Sequence, residues 1–178
     1  MSEAALPIRI RRARPDDARA IELLHRASVR ELAVGYYAPA LLERFLAAGT
    51  LDRELIDAGS YFLAEIAGLL VGSGGWMAVE DCPDGGVRAR IRSVFVHPDW
   101  ARRGIGRRLV LHAESDGARA GFTRFELEAS LSGVPLYRHL GYRAVRSYGL
   151  TLPDGTTLPV IRMEKELTFT ALLDAWGT

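Results

Sequence analysis

The sequence has few of the residues that would commit it to a disulfide or a metal. Cys82 is the only cysteine, so no disulfide forms within the chain, and it stands in a polar, turn-like stretch without a nearby histidine. The four histidines are scattered, and none lies at metal-ligand spacing from a cysteine or an acidic residue. We therefore predict no metal and treat Cys82 as an incidental surface thiol.

Long apolar runs and a strong net charge are also lacking. Crossing a bilayer needs roughly 20 consecutive apolar residues, and the sequence has no such run; its first residues (MSEAALPIRIRR) also lack the apolar stretch of a signal peptide. The net charge of +1 gives no general affinity for nucleic acid or membranes. The sequence therefore predicts a cytoplasmic protein without nucleic-acid or membrane partners, in which any bound anion is held locally.

The length and composition favour one globular domain. The 178 residues are too few for two comfortable domains, because domains cluster at roughly 100–150 residues. A hydrophobic content of 48% and a charged content of 25% are ordinary for soluble proteins. We predict a single domain over residues 1–178, with its core at 6–167 and a short tail at 168–178 in which Thr168–Gly177 is a candidate helix.

Alternating apolar residues and turn residues predict a mixed order of strands and helices. Predicted strands are Leu6–Arg12, Tyr61–Glu65, Leu69–Trp76, Ile91–Val96, Arg124–Ala129, Tyr142–Leu150 and Leu158–Leu167. Predicted helices run from Pro15 to about Arg30, from Pro39 to about Ala58 with a break around Gly49–Thr50, from Ile105 to near Gly121, and from Val134 to Leu140. Glu80–Gly86 is a predicted loop. This order indicates an α/β or α+β fold with a mixed sheet.

The segment Ser93–Leu109 (SVFVHPDWARRGIGRRL) carries the clearest functional signal. A strand leads through a loop with two glycines directly into a helix, so unpaired backbone N–H groups at the helix start point toward one spot. Gly104 and Gly106 would let a phosphate approach the main chain without a Cβ in the way. Positive charge at the rim comes from Arg102, Arg103 and Arg107. The segment therefore predicts an anion site.

Glycine pairs also serve tight helix starts, so the loop alone does not decide its ligand. A P-loop is excluded because no Gly-Lys-Ser/Thr follows four intervening residues. A dinucleotide fingerprint needs a third small residue where this chain has Leu109. Glu126 does lie 20 residues beyond Gly106, so a nicotinamide-dependent oxidoreductase stays open as an alternative.

Two motifs together resemble the GCN5-related N-acetyltransferase (GNAT) family. Ser93–Leu109 is similar to that family's acetyl-CoA motif, in which a strand, a Pro-containing link and Q/R-x-x-G-x-G/A lead into a helix; Ala101 occupies the Gln/Arg position. Leu127–Arg143 (LEASLSGVPLYRHLGYR) resembles the family's strand, short helix and Tyr-x-x-Leu-Gly-Phe/Tyr ending. The resemblance implies a GNAT-like fold, a mixed central sheet with flanking helices and splayed parallel strands at the cofactor site.

By the same resemblance, acetyl-CoA is the expected cosubstrate. Its pyrophosphate would contact the backbone amides of Arg102, Arg103, Gly104, Ile105, Gly106 and Arg107. Its pantetheine arm would run beside Val94, Phe95 and Val96. Ser130 or Ser132 stands near the place where many relatives use Asn to hold the cofactor, and the sequence leaves open which of the two is equivalent.

In this family an amine attacks the thioester directly, so no nucleophilic Ser or Cys is required. The reaction needs a base for the amine, a donor for the oxyanion and a proton for the leaving thiolate. Tyr137 matches the family's thiolate-protonating tyrosine, and a backbone N–H around Val94–Val96 is the expected oxyanion donor. Glu126 and Glu128 share one face of an alternating strand; Glu128 is the candidate base, acting through a water, while solvated carboxylates are the plainer alternative for both.

The expected acceptor is a primary amine, with a small molecule favoured over a peptide. Tyr36, Tyr37 and Trp76, taken as the end of its strand, are candidate substrate-binding residues, with the loop near Glu80 beside them. A non-enzymatic acyl-CoA-binding sensor is an alternative to an enzyme. The apolar strand Leu158–Met163, with the family's habit of pairing through late strands, predicts a homodimer.

Overall fold

A computed structural model describes residues 7–80 and 86–168 and arranges seven strands into one sheet. The strands are β1 (Ile8–Arg12), β2 (Tyr61–Ile66), β3 (Leu69–Val79), β4 (Arg88–Val96), β5 (Arg124–Ser130), β6 (Arg143–Thr151) and β7 (Thr157–Glu166). The helices are α1 (Ala18–Leu32), α2 (Pro39–Ala47), α3 (Arg53–Asp57), α4 (Ile105–Arg119) and α5 (Val134–His139). Short 3-10 turns at Pro15–Asp17 and Pro98–Trp100 precede α1 and α4.

The strands follow the order β1-β2-β3-β4-β5-β7-β6 across the sheet. Strands β4 and β5 are parallel and every other neighbouring pair is antiparallel. The mixed sheet with flanking helices confirms the predicted fold class. Strand β7 lies between β5 and β6, so the sheet edges are β1 and β6 and not the late apolar strand.

Alternate residues of β3 show how the sheet separates two layers of helices. A Cβ on Gly72 would lie 2.8 Å from the side chain of Ile105 in α4. Ser73, the next residue, points to the opposite face and contacts His25 of α1 at 3.1 Å. Because successive strand residues face opposite sides, α1 and α4 cover different faces, and glycine at 72 allows α4 to lie close to the sheet.

The predicted elements are recovered with shifted ends. The predicted break near Gly49–Thr50 separates α2 from α3. Strand β3 continues to Val79, so Trp76 lies inside a strand and not at its end, contrary to the sequence-based expectation. Most of the predicted loop Glu80–Gly86, with Cys82, and the predicted tail helix beyond residue 168 lie outside the described residues.

Membrane-spanning helices were not expected from the sequence. In the part of the chain that the structure describes, no helix is both long and apolar enough to cross a bilayer.

Candidate active site

A gap opens between the two parallel strands in the middle of the sheet. Along their described length, β4 and β5 pair at Ala89 with Phe125 and at Arg90 with Glu126, and no later residues are paired. Beyond this point β4 continues to pair with β3, and β5 pairs with β7 to its end. The backbone edge of β4 from Ile91 onward is therefore free of β5, which is the splay that the family resemblance implied.

A β-bulge bends β4 where the gap begins. In the β3–β4 ladder, Arg92 pairs with Gly75 but Phe95 pairs with Ser73, so β4 carries one extra residue. Ser93 takes up that extra residue with a φ of +55°, a left-handed conformation that costs a non-glycine residue roughly 1–2 kcal/mol. The bulge therefore has to be held in place by other contacts.

An open cavity of about 1410 Å³ occupies the gap. It brings together most of the residues that the sequence singled out. Those that line it are Tyr36, Tyr37, Val94, Phe95, Val96, Arg102, Gly104, Ile105, Gly106, Arg107, Glu128, Ser130, Ser132 and Tyr137.

The loop before α4 has the geometry of an anion site. Arg102 and Gly104 have φ values of +64° and +79°, and no side chain caps the helix. The N–H of Arg108 makes a helical bond to the carbonyl of Gly104, at 3.0 Å, so the N–H groups of residues 105–107 precede the hydrogen-bonded turns. A Cβ on Gly104 would meet no atom within 4 Å, so the space beside this backbone is open.

At two members of the predicted phosphate loop, Gly106 and Arg103, the side-chain position is engaged in packing. A Cβ on Gly106 would lie 3.1 Å from Cδ2 of Leu136 and 3.5 Å from Cγ2 of Val96, so the missing side chain makes room for α5 and β4. The guanidinium of Arg103 lies 4.8 Å from the ring centroid of Trp100 and does not line the cavity. The sequence motif could not separate these packing roles from phosphate contact.

Tyr137 stands on α5 at the wall of the cavity. Its ring packs edge-on against Tyr142, with 5.9 Å between centroids, and only 8% of the residue is exposed. Burial raises the pKa of its hydroxyl. Over residues 7–80 and 86–168, no hydrogen-bond partner is found for this hydroxyl.

Glu128 lies half-buried on the β5 side of the cavity and is paired with Tyr148, a residue that sequence reasoning missed. The Tyr148 hydroxyl donates a hydrogen bond to Oε1 of Glu128. The pKa of Tyr148 is raised to about 12, mainly by burial and to a lesser extent by this contact with the carboxylate. The two strands are separated by β7, so no local pattern in the sequence indicates their contact.

Glu126 is in a different environment from Glu128. It is 1% exposed and forms ion pairs with Arg88, Arg90 and Arg162 from both neighbouring strands. Nε of Arg90 lies 2.8 Å from Oε1 of Glu126. Glu126 is therefore neither a solvated carboxylate nor part of the cavity wall, and its three arginine partners explain its burial.

Tyr36 and Tyr37 both reach the cavity but differ in what their side chains do. The Tyr37 hydroxyl donates to the carbonyl of Pro159 and accepts from the N–H of Leu131, both at 2.8 Å. It thereby ties the loop after α1 to β7 and to the segment after β5. Tyr36 is 51% exposed and is the more available of the two for an acceptor.

The structure does not bring Trp76 to this cavity. Its Nε1 donates to Asp116 of α4 at 2.9 Å, and its ring packs against Phe122 at 5.2 Å between centroids. Strand alternation turns Trp76 to the face covered by α4. Its predicted role in acceptor binding is replaced by a packing role.

Ser130 and Ser132 remain equivalent candidates for a cofactor contact. Both line the cavity, and their hydroxyl oxygens lie 3.2 Å apart.

A buried histidine lies behind the cavity wall. His25 is fully buried, and its Nε2 lies 3.0 Å from the hydroxyl of Tyr61 and 3.1 Å from Oγ of Ser73. Its Nδ1 lies 3.0 Å from Oγ1 of Thr50, and its ring stacks on Phe95 with 3.9 Å between centroids. Burial lowers the pKa of His25 to about 3, so the ring is neutral.

Comparisons with known proteins give a family match for about the middle half of the chain. Residues 57–144 match the model of the GNAT acetyltransferase domain. A comparison with curated protein sequences finds no match.

Solved structures share the fold. A GCN5-related N-acetyltransferase from Rhodopseudomonas palustris is 23% identical, with a TM-score of 0.75 over 93% of this chain and 100% of that one. PaiA N-acetyltransferase from Thermoplasma acidophilum, in complex with coenzyme A, is 17% identical, with a TM-score of 0.70 over 90% and 99%. YncA from Salmonella typhimurium, with acetyl-CoA, is 19% identical, with a TM-score of 0.64 over 91% and 95%.

Proposed function

The chain carries a domain of the GNAT acetyltransferase family, and on that premise we propose that it transfers an acetyl group from acetyl-CoA to a primary amine of a small molecule. The observation that carries the proposal is the single cavity joining the splayed edge of β4, the start of α4 and Tyr137. The two splayed strand edges suit a cofactor with a long arm, and the helix start suits its phosphate end.

The residues present fit acetyl-CoA. The N–H groups at the start of α4 and the positive charges of Arg102 and Arg107 suit a pyrophosphate, and the open space at Gly104 leaves room for it. Val94, Phe95 and Val96 line the cavity without a β5 partner, so the backbone groups of this stretch that face away from β3 are free for the amide-rich pantetheine arm. Acetyl-CoA supplies the activated acyl group when bound.

In the proposed reaction, the amine nitrogen attacks the thioester carbonyl carbon, a C–N bond forms and the C–S bond breaks. Tyr137 gives its proton to the departing thiolate. Burial raises the pKa of Tyr137, so its hydroxyl stays protonated at neutral pH and serves as a donor. A thiol has a pKa near 8.5, so the thiolate can depart without protonation, and the proton from Tyr137 makes this departure faster.

Glu128 is the proposed base, and it takes the amine proton through a water molecule. The hydrogen bond from Tyr148 holds one of its carboxylate oxygens, which fixes the side chain at the cavity wall. Glu126 is not proposed for this role, because three arginines already surround it.

The acceptor is proposed to enter beside Tyr36. Apolar side chains from α1 and α2, among them Leu32 and Phe45, form this end of the cavity, and Leu150 of β6 faces them. An apolar wall near Tyr36, in a cavity that is also lined by the carboxylate of Glu128, suits a compact amine with an apolar body. The proposal needs no metal and keeps the expectation of a cytoplasmic enzyme.

Association into a homodimer stays a prediction, but the strand expected to form the interface changes. Leu158–Met163 belongs to β7, whose two edges are already paired with β5 and β6. Strands β1 and β6 form the two edges of the sheet, so β6 is the late strand that has an edge available for pairing with a second copy.

The test combines an acceptor screen with Tyr137→Phe. A library of primary amines is incubated with acetyl-CoA, and release of the CoA thiol identifies the acceptor. Tyr137→Phe keeps the ring and deletes the proton donor, so kcat should fall by roughly 10- to 1,000-fold with little change in KM for acetyl-CoA. Tyr142→Phe is the matched control, because Tyr142 is also buried in the core, and it should retain wild-type turnover.

Three outcomes would contradict parts of the proposal. Wild-type turnover by Tyr137→Phe, with chemistry shown to be rate-limiting, would make Tyr137 a packing residue. Tight acetyl-CoA binding without thiol release for any amine would favour a non-enzymatic sensor. Binding of NADH in place of acetyl-CoA would favour the oxidoreductase.

A further inference from the structure

One buried carboxylate holds the bulge in β4. Oδ2 of Asp52 accepts a hydrogen bond from Oγ of Ser93 at 3.2 Å and forms an ion pair with Nε of Arg92 at 3.0 Å. Its Oδ1 accepts the N–H of Leu55 at 3.3 Å, at the start of α3. Two consecutive residues of the bulge are therefore tied to a side chain that is itself fixed to a helix start.

The carbonyl of Ser93 is held from the other side. It accepts a hydrogen bond from Oγ of Ser73 at 3.1 Å, and Ser73 is in turn bonded to His25. His25 stacks on Phe95, which lines the cavity two residues after the bulge. Both polar ends of Ser93 are thus engaged, and the residues that follow it form the proposed cofactor edge.

We infer that Asp52 is a positioning residue for acetyl-CoA binding, because it fixes the bulge that presents Val94–Val96 to the cavity. The inference rests on the proposed function. The Asp52 side chain lines the cavity but is only 6% exposed, and both of its oxygens are bonded to protein groups, so its role is exerted through Ser93 and Arg92.

The physical reason lies in the strained backbone of Ser93. A serine at φ +55° is favoured to relax toward an extended conformation when its hydroxyl loses its acceptor. Loss of the extra residue of a bulge shifts the register of the strand by one, and such a shift exchanges the faces of all following residues. The backbone groups of Val94–Val96 would then turn away from the cofactor.

The experiment measures acetyl-CoA affinity by calorimetry for the full chain. Asp52→Ala should weaken binding by about tenfold or more, the scale of one lost hydrogen bond to a charged group. Asp17→Ala is the matched control, because Asp17 also accepts a backbone N–H, from Arg14 at 2.8 Å, and pairs with Arg11 at 2.8 Å, but does not line the cavity. It should bind acetyl-CoA as the wild type does, even where its thermal unfolding temperature falls.

A second change distinguishes positioning from general loss of stability. Glycine adopts a positive φ without strain, so Ser93→Gly added to Asp52→Ala should keep the bulge and recover at least about threefold of the lost affinity. A general loss of stability would not be rescued in this way. If Asp52→Ala does not fold, Asp52→Asn decides in its place. Asparagine keeps only one oxygen for the two that accept from Ser93 and Leu55, and this variant should bind about threefold more weakly than the wild type.

The outcomes separate this inference from the proposed function. A wild-type protein that does not bind acetyl-CoA overturns the proposed function. A wild-type protein that binds it, together with an unchanged affinity in folded Asp52→Ala (or in Asp52→Asn where that variant decides), overturns the role of Asp52 alone. Failure of Ser93→Gly to restore any affinity to folded Asp52→Ala overturns the route through the bulge.

Discussion

The buried histidine behind the cavity predicts a specific dependence of stability on pH. His25 is fully buried, and burial lowers its pKa from an ordinary 6.5 to about 3 in the folded protein. In the unfolded chain the ring regains the ordinary value. Between these two pKa values the unfolded state binds a proton that the folded state does not, so folding becomes less favourable as pH falls below about 6.5.

The size of the effect follows from the same two values. Each pH unit below the unfolded pKa costs about 1.4 kcal/mol of stability until the folded pKa is reached. Lowering the pH from 7 to 5 crosses about 1.5 such units, so His25 alone should remove about 2 kcal/mol from the free energy of unfolding. The loss is present only below the unfolded pKa and stops growing near pH 3.

Urea unfolding of the wild type and of His25→Gln at pH 7 and pH 5 measures this contribution. Glutamine does not titrate, so the variant should lose about 2 kcal/mol less than the wild type between the two pH values, whatever its stability at pH 7. His139→Gln, which changes an exposed histidine, should retain the wild-type dependence. An equal loss in His25→Gln and the wild type would refute the reasoning, because another group would then carry the pH dependence.

Two further substitutions test the assignments around the cavity. Glu126→Gln should lower the free energy of unfolding by about 3–5 kcal/mol in urea titrations, because it leaves three arginines beside a buried uncharged group; Glu43→Gln, which breaks an exposed pair with Arg30, should leave stability nearly unchanged. Gly106→Val should lower the free energy of unfolding of the protein without cofactor by about 1–3 kcal/mol, since its Cβ would press on Leu136. An unchanged free energy of unfolding would contradict the packing role of Gly106.

Much of the fold, including the strand, turn and helix over Ser93–Leu109, could be predicted because the signals are local. The Ser93–Leu109 pattern combines a strand, a proline stop and a glycine-started helix, and the structure shows β4, a turn and α4 in that order. The break between α2 and α3 follows from glycine beside threonine in a helical stretch. Such features depend on neighbours within a few positions along the chain.

Contacts between distant elements could not be predicted in this way. Asp52 caps the start of α3, and only the tertiary fold brings it to Ser93, 41 residues away. Ser93 itself carries no sequence mark of a left-handed conformation, since glycine or asparagine would be usual there. The hydrogen bonds that fix the cavity edge come from the tertiary fold.

The two carboxylates of β5 show what strand alternation can and cannot predict. Glu126 and Glu128 share a face, as the alternating pattern predicts. Their surroundings differ because β5 has β7 beside it along its whole length but β4 beside it only as far as Glu126. At Glu126, β4 is still paired and delivers Arg90 to the carboxylate. Two residues later β4 has diverged, so Glu128 meets the cavity and the hydroxyl of Tyr148 instead. The splay of the parallel strands thus decides which carboxylate is structural and which is available for chemistry.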